Sequence, residues 1–141
     1  MQRNNDTNDF LIELKKSKLK LTYPRQRIFS VFLKTNSPLS IQELSAKLLD
    51  IHYTTIYRNA ESLSRAGILN KIPHGFKYRY ELSEKFMPHH HHATCEICGK
   101  SSKINSQHIE YLLNEASTVA GIKPTYHHIE VVGICLDCQS I

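Results

Sequence analysis

No apolar run in the 141 residues reaches the roughly 18–20 residues that a membrane-spanning helix needs. No secretory-leader pattern and no internal repeat occur either. These absences leave the expectation of a soluble, cytoplasmic chain without a membrane partner and without a solenoid architecture. Two zinc-enzyme signatures are also missing: there is no H-E-x-x-H, and no H-x-E followed by P-C-x-x-C. A catalytic zinc needs an open coordination position and a nearby acid or base. The expectation is therefore neither an enzyme nor a small-molecule substrate. Cysteine is scarce, at four residues, and two CxxC pairs use all of them.

Those pairs are Cys95/Cys98 and Cys135/Cys138. Thiolate is soft, zinc accepts tetrahedral geometry, and a two-residue spacer lets one turn present both sulfurs. The four cysteines are expected to hold a structural Zn2+. The alternative of two disulfides fits poorly with a chain lacking a secretory signal. Immediately before the first pair stands a run of four histidines, His89 to His92. In an extended strand successive side chains point to opposite faces, so His89 and His91 share one face and His90 and His92 the other. Two metal sites sharing a strand is the reading this pattern favours. A solvated His-rich loop and a fragment of an affinity tag are the alternatives, the latter disfavoured by the internal position and short length of the run.

Charge divides the chain. Residues 1–83 carry a net +7 and residues 84–141 a net −2, which together give the overall +5. A basic front half beside an acidic, metal-liganding back half points to two domains, the first suited to a polyanion. Residues 1–8 are polar and expected to be disordered. Phe10, Leu11 and Leu14 mark a short helix with a lysine-rich outer face. Pro24 suits a first helical turn, with Ile28, Val31 and Phe32 on its buried face. Ser40 and Glu43 form a capping box for a helix carrying Ile41, Leu44 and Leu48. The next helix places Ile56, Ala60 and Leu63 inward and stops at Gly67. A hairpin then turns at His74-Gly75, with Phe76, Tyr78, Tyr80 and Leu82 alternating against Lys77, Arg79 and Glu81.

This order reads as a winged helix-turn-helix over 1–83, with a hinge at 84–88 broken by Pro88. Residues 89–141 follow as strand, helix and strand. The inner helix positions are Ile109, Leu112, Leu113 and Ala116. The fold class is α+β: a winged helix-turn-helix, then a small α/β dimerisation domain with a four-cysteine zinc site. So small a unit needs both zinc and a second chain to bury enough surface.

In a helix-turn-helix the first turns of the second helix enter the major groove. Here they carry Tyr53, Thr54, Thr55, Tyr57 and Arg58, and Arg58 is suited to reading guanine bidentately. Lys15, Lys16, Lys18, Arg25 and Arg27 are candidates for phosphate contacts. The competing reading is a solvated helix face. His52, His74, His108 and His128 are expected to be surface histidines.

Several motifs resemble, in order, those of the ferric-uptake-regulator family of bacterial metal-dependent repressors. LTYPRQRIF resembles the family's first signature helix and HYTTIYRNAESLSRAGIL its recognition helix. FKYRYEL, the histidine run and CEICGK resemble its wing, hinge and metal box, and GICLDC its terminal CxxC. The resemblance implies a homodimer that binds a palindromic double-stranded operator as a metal-loaded repressor. It implies a regulatory metal, Zn2+ or Fe2+, on His89, His91, Glu110 and His127, and a possible second one on Glu81, His90 and His92. Two further positions of that second site correspond to Pro38 and Lys103, which cannot bind metal, so a peroxide-sensing role is not expected. His91 stands where many iron-sensing members have aspartate. Zinc is therefore the favoured signal, with iron as the alternative. A zinc-binding protein without DNA binding is the third reading.

Overall fold

Ser40 accepts a hydrogen bond from the Glu43 amide, and the Glu43 carboxylate accepts one from the Ser40 amide. This reciprocal cap starts one of the four helices that build the first half of the chain. The computed structural model describes the backbone of residues 2–140 and the side chains of residues 5–140. The chain divides into two compact units, Met1–Pro88 and His89–Ile141.

In the first unit α1 (Gln2–Lys16), α2 (Tyr23–Phe32), α3 (Ile41–Lys47) and α4 (Tyr53–Arg65) precede β1 (Leu69–His74) and β2 (Lys77–Leu82). Helix α1 begins at Gln2, so the disorder expected over residues 1–8 is replaced by helix, with Met1 outside the described residues. Ile56, Ala60 and Leu63, spaced by four and three along α4, are fully buried. They pack with Ile28, Phe32, Leu44 and Leu48 in one hydrophobic cluster. Phe29 also belongs to that cluster, and Val31, half-buried, packs against it. Phe10 stacks on Phe29 with centroids 4.0 Å apart, and Phe86 meets it edge-on at 5.1 Å. An aromatic partner on each side widens the buried face beyond the stripe that periodicity alone marks.

β1 and β2 are antiparallel in a register that opposes His74 to Lys77. The loop is therefore Gly75-Phe76, one residue later than expected. Gly75 has φ +59, the positive value that the first position of a type II′ turn requires. The shift places Phe76 at the tip, fully exposed, and Tyr78 remains half-exposed. Only Tyr80 and Leu82 of the expected aromatic-aliphatic face are buried, and Glu81 is buried beside them.

The second unit contains β3 (His91–Cys95), β4 (Ser101–Ile104), α5 (Gln107–Val119), β5 (Glu130–Gly133) and α6 (Leu136–Gln139). Its sheet has the order β4-β3-β5, with β4 antiparallel and β5 parallel to the central strand. β4 and α6 are additions to the expected strand–helix–strand pattern, and the last strand is shorter than TYHHIEVVGIC. Among the described residues neither α5 nor β5 has a buried residue, and the expected inner positions Leu112 and Ala116 are exposed. Tyr111, Val119, Val131 and Val132 are exposed as well.

The burial pattern separates two leucine- and phenylalanine-scale truncations. Leu63→Ala should lower stability by about 2–5 kcal/mol, the usual loss for a large-to-small change in a closed core. Phe76→Ala should stay within about 0.5 kcal/mol, as surface changes do. Urea denaturation followed by circular dichroism is the check, and equal losses would contradict this placement.

Candidate metal centres and nucleic-acid surface

β3 ends on Cys95, and the chain reverses through Glu96-Ile97-Cys98-Gly99 into β4. The Gly99 amide donates to the Cys95 carbonyl at 2.9 Å, and Gly99 has φ +73, a value that a residue with a Cβ adopts only with strain. The parallel pairing of β5 to β3 sets Gly133 opposite Cys95. The chain leaving β5 therefore delivers Cys135 next to the first pair. Cys135 caps α6, whose first turn carries Cys138. The four sulfurs lie within 4.8 Å of one another, and all four cysteines are free thiols.

The Cys135 amide donates to the Cys95 sulfur at 3.4 Å. That bond, with those from the Cys98 and Ile97 amides, outweighs burial and pulls the Cys95 thiol down to about 6. Cys138 is pushed up to about 12, first by its hydrogen bond with the Cys135 sulfur and then by burial. The cluster thus shares protons unevenly, with one sulfur ready as a thiolate. Four soft donors with no fifth group form a closed set of the kind that holds a structural zinc.

The histidine run alternates as the pleat of a strand demands. The rings of His89 and His91 meet at 4.8 Å and those of His90 and His92 at 4.7 Å. On one face α5 supplies Glu110, set in its first turn after the Ser106 cap. His127 comes from the segment before β5. His91 Nε2 lies 2.6 Å from Glu110 Oε1, His89 Nε2 3.2 Å from the same oxygen, and His127 Nε2 3.2 Å from Glu110 Oε2. His89 and His127 bring their Nε2 atoms to 3.0 Å. All four donor atoms lie within 4.8 Å of one another, and His91 is buried. Burial works against ionising Glu110, but the hydrogen bond with His91 and the fields of His127, His89 and His91 win, so its carboxyl is held below the usual range. Three imidazole nitrogens and a carboxylate form a donor set that fits a divalent transition metal.

On the opposite face of β3, His92 is buried and lies 3.4 Å from the Ser101 hydroxyl through Nδ1. Its cross-strand partners are Lys103 on β4 and Glu130 on β5. Glu81 is buried on β2 of the first unit, and Pro38 is buried just before α3.

On α4, Tyr53, Thr54, Tyr57 and Arg58 are exposed and Thr55 is half-exposed. Of the expected phosphate contacts, Lys15 and Lys18 are exposed, while Lys16 pairs with Glu13 at 2.8 Å. Arg25 donates to the Lys20 carbonyl, and Arg27 pairs with Asp50 at 3.3 Å. His52 caps α4, its Nδ1 accepting from the Thr54 amide at 3.3 Å; this role was not read from the sequence. Neither was Glu61, which accepts from the Tyr80 hydroxyl and pairs with Lys71 at 2.8 Å. Those contacts hold the carboxyl of Glu61 below its usual range, Lys71 first and Tyr80 next. They join α4 to the hairpin across a sequence distance that no local pattern marks. His74 is half-exposed, and His108 and His128 are exposed.

The thiol cluster makes a pH prediction for the metal-free chain. The folded Cys95 thiol titrates near 6 against an ordinary 9.0. Its contribution to stability is therefore complete above the unfolded value and is lost as pH falls through about 6. Thiolate absorbance should show one early step near that pH, and Cys95→Ser should remove it. All four thiols titrating together in the ordinary range would contradict the arrangement.

A sequence profile of the Ferric uptake regulator family matches residues 16–132. The chain is 33% identical over 138 residues to the ferric uptake regulation protein of Neisseria gonorrhoeae, spanning 92% of this chain and 93% of that protein. It is 27% identical over 136 residues to the peroxide-responsive repressor PerR of Staphylococcus saprophyticus, spanning 93% and 90%. Among solved structures, the ferric uptake regulator of Vibrio cholerae matches with a TM-score of 0.76 at 29% identity, over 86% of this chain and 96% of that one. Among the described residues no helix is long and apolar enough to cross a membrane. The chain belongs to the Ferric uptake regulator family, metal-responsive transcriptional regulators that bind DNA and dimerise and are not enzymes.

Proposed function

We propose that this regulator is a repressor of metal-uptake genes that senses zinc and binds a palindromic operator as a homodimer. The observation that carries the reading is the convergence of His89, His91, Glu110 and His127 from three separate segments onto one small volume. A strand, a helix and the segment before β5 would all be tied together by one ion. Occupancy at that point would thus change the order of the whole second unit. The four cysteines would hold a second, structural zinc that is not exchanged during signalling. Its donor set is all sulfur and closed, whereas the histidine cluster mixes nitrogen with oxygen.

Zinc is the favoured signal because three imidazoles and one carboxylate suit a four-coordinate ion. Ferrous iron more commonly takes additional oxygen donors in a larger coordination shell, and His91 supplies nitrogen where aspartate would supply oxygen. Lys103, the cross-strand partner of His92, puts a cation on that face of the sheet in place of an acid. Iron remains the second reading, favoured by the relatives named as ferric uptake regulation proteins. DNA would be read by Tyr53, Thr54, Thr55, Tyr57 and Arg58 on α4, with Arg58 the candidate for a guanine contact. Lys15, Lys16, Lys18 and Arg25 would supply the phosphate side. The operator partner is double-stranded DNA, and a two-fold symmetric dimer calls for a two-fold symmetric site.

The test is operator occupancy at buffered free metal, because zinc outcompetes iron at most such sites in unbuffered solution. Half-occupancy at sub-nanomolar free zinc, abolished in His91→Ala and in Glu110→Ala, is the expected outcome. Binding driven by ferrous iron and indifferent to buffered zinc would assign the protein to iron.

A further inference from the structure

Phe76 is the most exposed large apolar side chain in the described structure, at 109% of its reference area. It is not a scattered surface residue. It sits at the apex of a two-residue turn, and Lys77 follows it directly. The hairpin behind it stands beside the recognition helix. An open groove of about 720 Å³ runs between them and ends against the start of α3; Tyr53 and Tyr57 of α4, Lys77, Tyr78 and Arg79 of the hairpin, and Glu43 of α3 are among the residues that line it. The spacing is held from both sides. Lys71 on β1 pairs with Glu61 on α4 at 2.8 Å and lies 4.3 Å from the centre of the Tyr78 ring. Arg79 on β2 pairs with Glu43 on α3 at 3.3 Å.

The groove is lined by tyrosine hydroxyls and cations, the groups that proteins direct at phosphate oxygens, and the acid in its lining, Glu43, is paired with Arg79. When α4 lies in the major groove, the nearest structure beside it is one sugar-phosphate strand, and beyond that strand is the minor groove. Apolar side chains that enter the minor groove unstack a base step and bend the duplex. We propose that the groove between α4 and the hairpin clamps one phosphodiester strand of the bound duplex, and that Phe76 wedges into the adjacent minor groove. The inference rests on α4 being the reading helix. It adds a second contact surface, whose readout is the deformability of the flanking step and not its base edges. A flexible pyrimidine–purine step at that distance from each half-site is the sequence it favours.

The experiment uses the full-length, metal-loaded protein and duplexes that it selects from a randomised pool, with 2-aminopurine placed in turn at each flanking step. The wild-type protein should raise the fluorescence at one step per half-site. Phe76→Ala should abolish that rise and weaken binding on the order of tenfold, as loss of an aromatic stacking partner does. Phe76→Leu, still an apolar wedge, should retain most of both. Lys77→Ala should lower the slope of affinity against salt by about one, whereas Phe76→Ala leaves the slope unchanged. Arg58→Ala separates the two levels: it should relax base preference inside the half-site and leave the fluorescent step intact. If Phe76→Ala binds as tightly as wild type and no step is unstacked, the wedge is wrong while the reading helix stands. If Phe76→Ala alters the sedimenting mass and not the DNA complex, the tip is a protein contact and the proposal fails. A metal-loaded wild type that selects no duplex overturns the α4 reading and this inference with it.

Discussion

The second half of the molecule depends on the pleat of one five-residue strand. β3 is the centre of its sheet and is covered on both faces, so His91 and His92 are both buried while pointing in opposite directions. The alternation sends His89 and His91 toward Glu110 and His127, and His90 and His92 toward Ser101 and the Lys103–Glu130 side. The same strand ends on Cys95 and starts the sulfur cluster. A one-residue slip would exchange the two histidine pairs between faces and displace the cysteine. The parallel pairing with β5 fixes that register from the other side, because it also decides whether Cys135 arrives beside Cys95.

The interior that results is unusual in composition. Among the described residues of the second unit, those buried are His91, His92, Thr94 and Cys95, and none of these is a large aliphatic. Helix α5 and strand β5 contribute no buried residue and leave tyrosine, leucine and valine in solvent. Apolar burial cannot hold such a unit together, and its small size makes the shortage worse. On the function proposed above, metal coordination would take the place of a hydrophobic core, and the exposed apolar faces are what a dimerising protein must cover. The first unit is built the opposite way, on a closed cluster of aliphatic and aromatic side chains in which every helix participates. Stability in one half is a matter of packing; in the other, ligation by the clustered donors would supply it, and the proposed response to metal would follow from that.

Much of this was readable in the sequence where the signal was local. The Ser40–Glu43 cap, the stripe of Ile56, Ala60 and Leu63, the two CxxC spacings and the alternation of the histidine run are short-range patterns with one physical meaning each. The features that escaped depend on distant partners. β4, the segment SSKI, has no apolar alternation and is a strand only because β3 pairs with it. Phe29 joins Ile28 and Phe32 in the core, where Phe10 and Phe86 reach it. The hairpin turn moved by one residue because Gly75, and not His74, takes the positive φ. Nothing local in the sequence marks Glu61, whose partners Lys71 and Tyr80 lie on the hairpin. The grouping of His89, His91, Glu110 and His127 is implied by the family resemblance, since no spacing rule links Glu110 and His127 to histidines 19 or more residues away.

In the proposed function one metal site is structural and the other responsive, and their donor sets differ accordingly. Zinc-edge X-ray absorption on the full-length protein, followed through graded chelation, addresses it most directly. The account predicts two environments, one all sulfur and one of nitrogen and oxygen. The nitrogen–oxygen signal should disappear first, and operator binding with it, while the sulfur signal persists. Loss of the sulfur environment before the other, or a single environment of mixed nitrogen and sulfur, would contradict it.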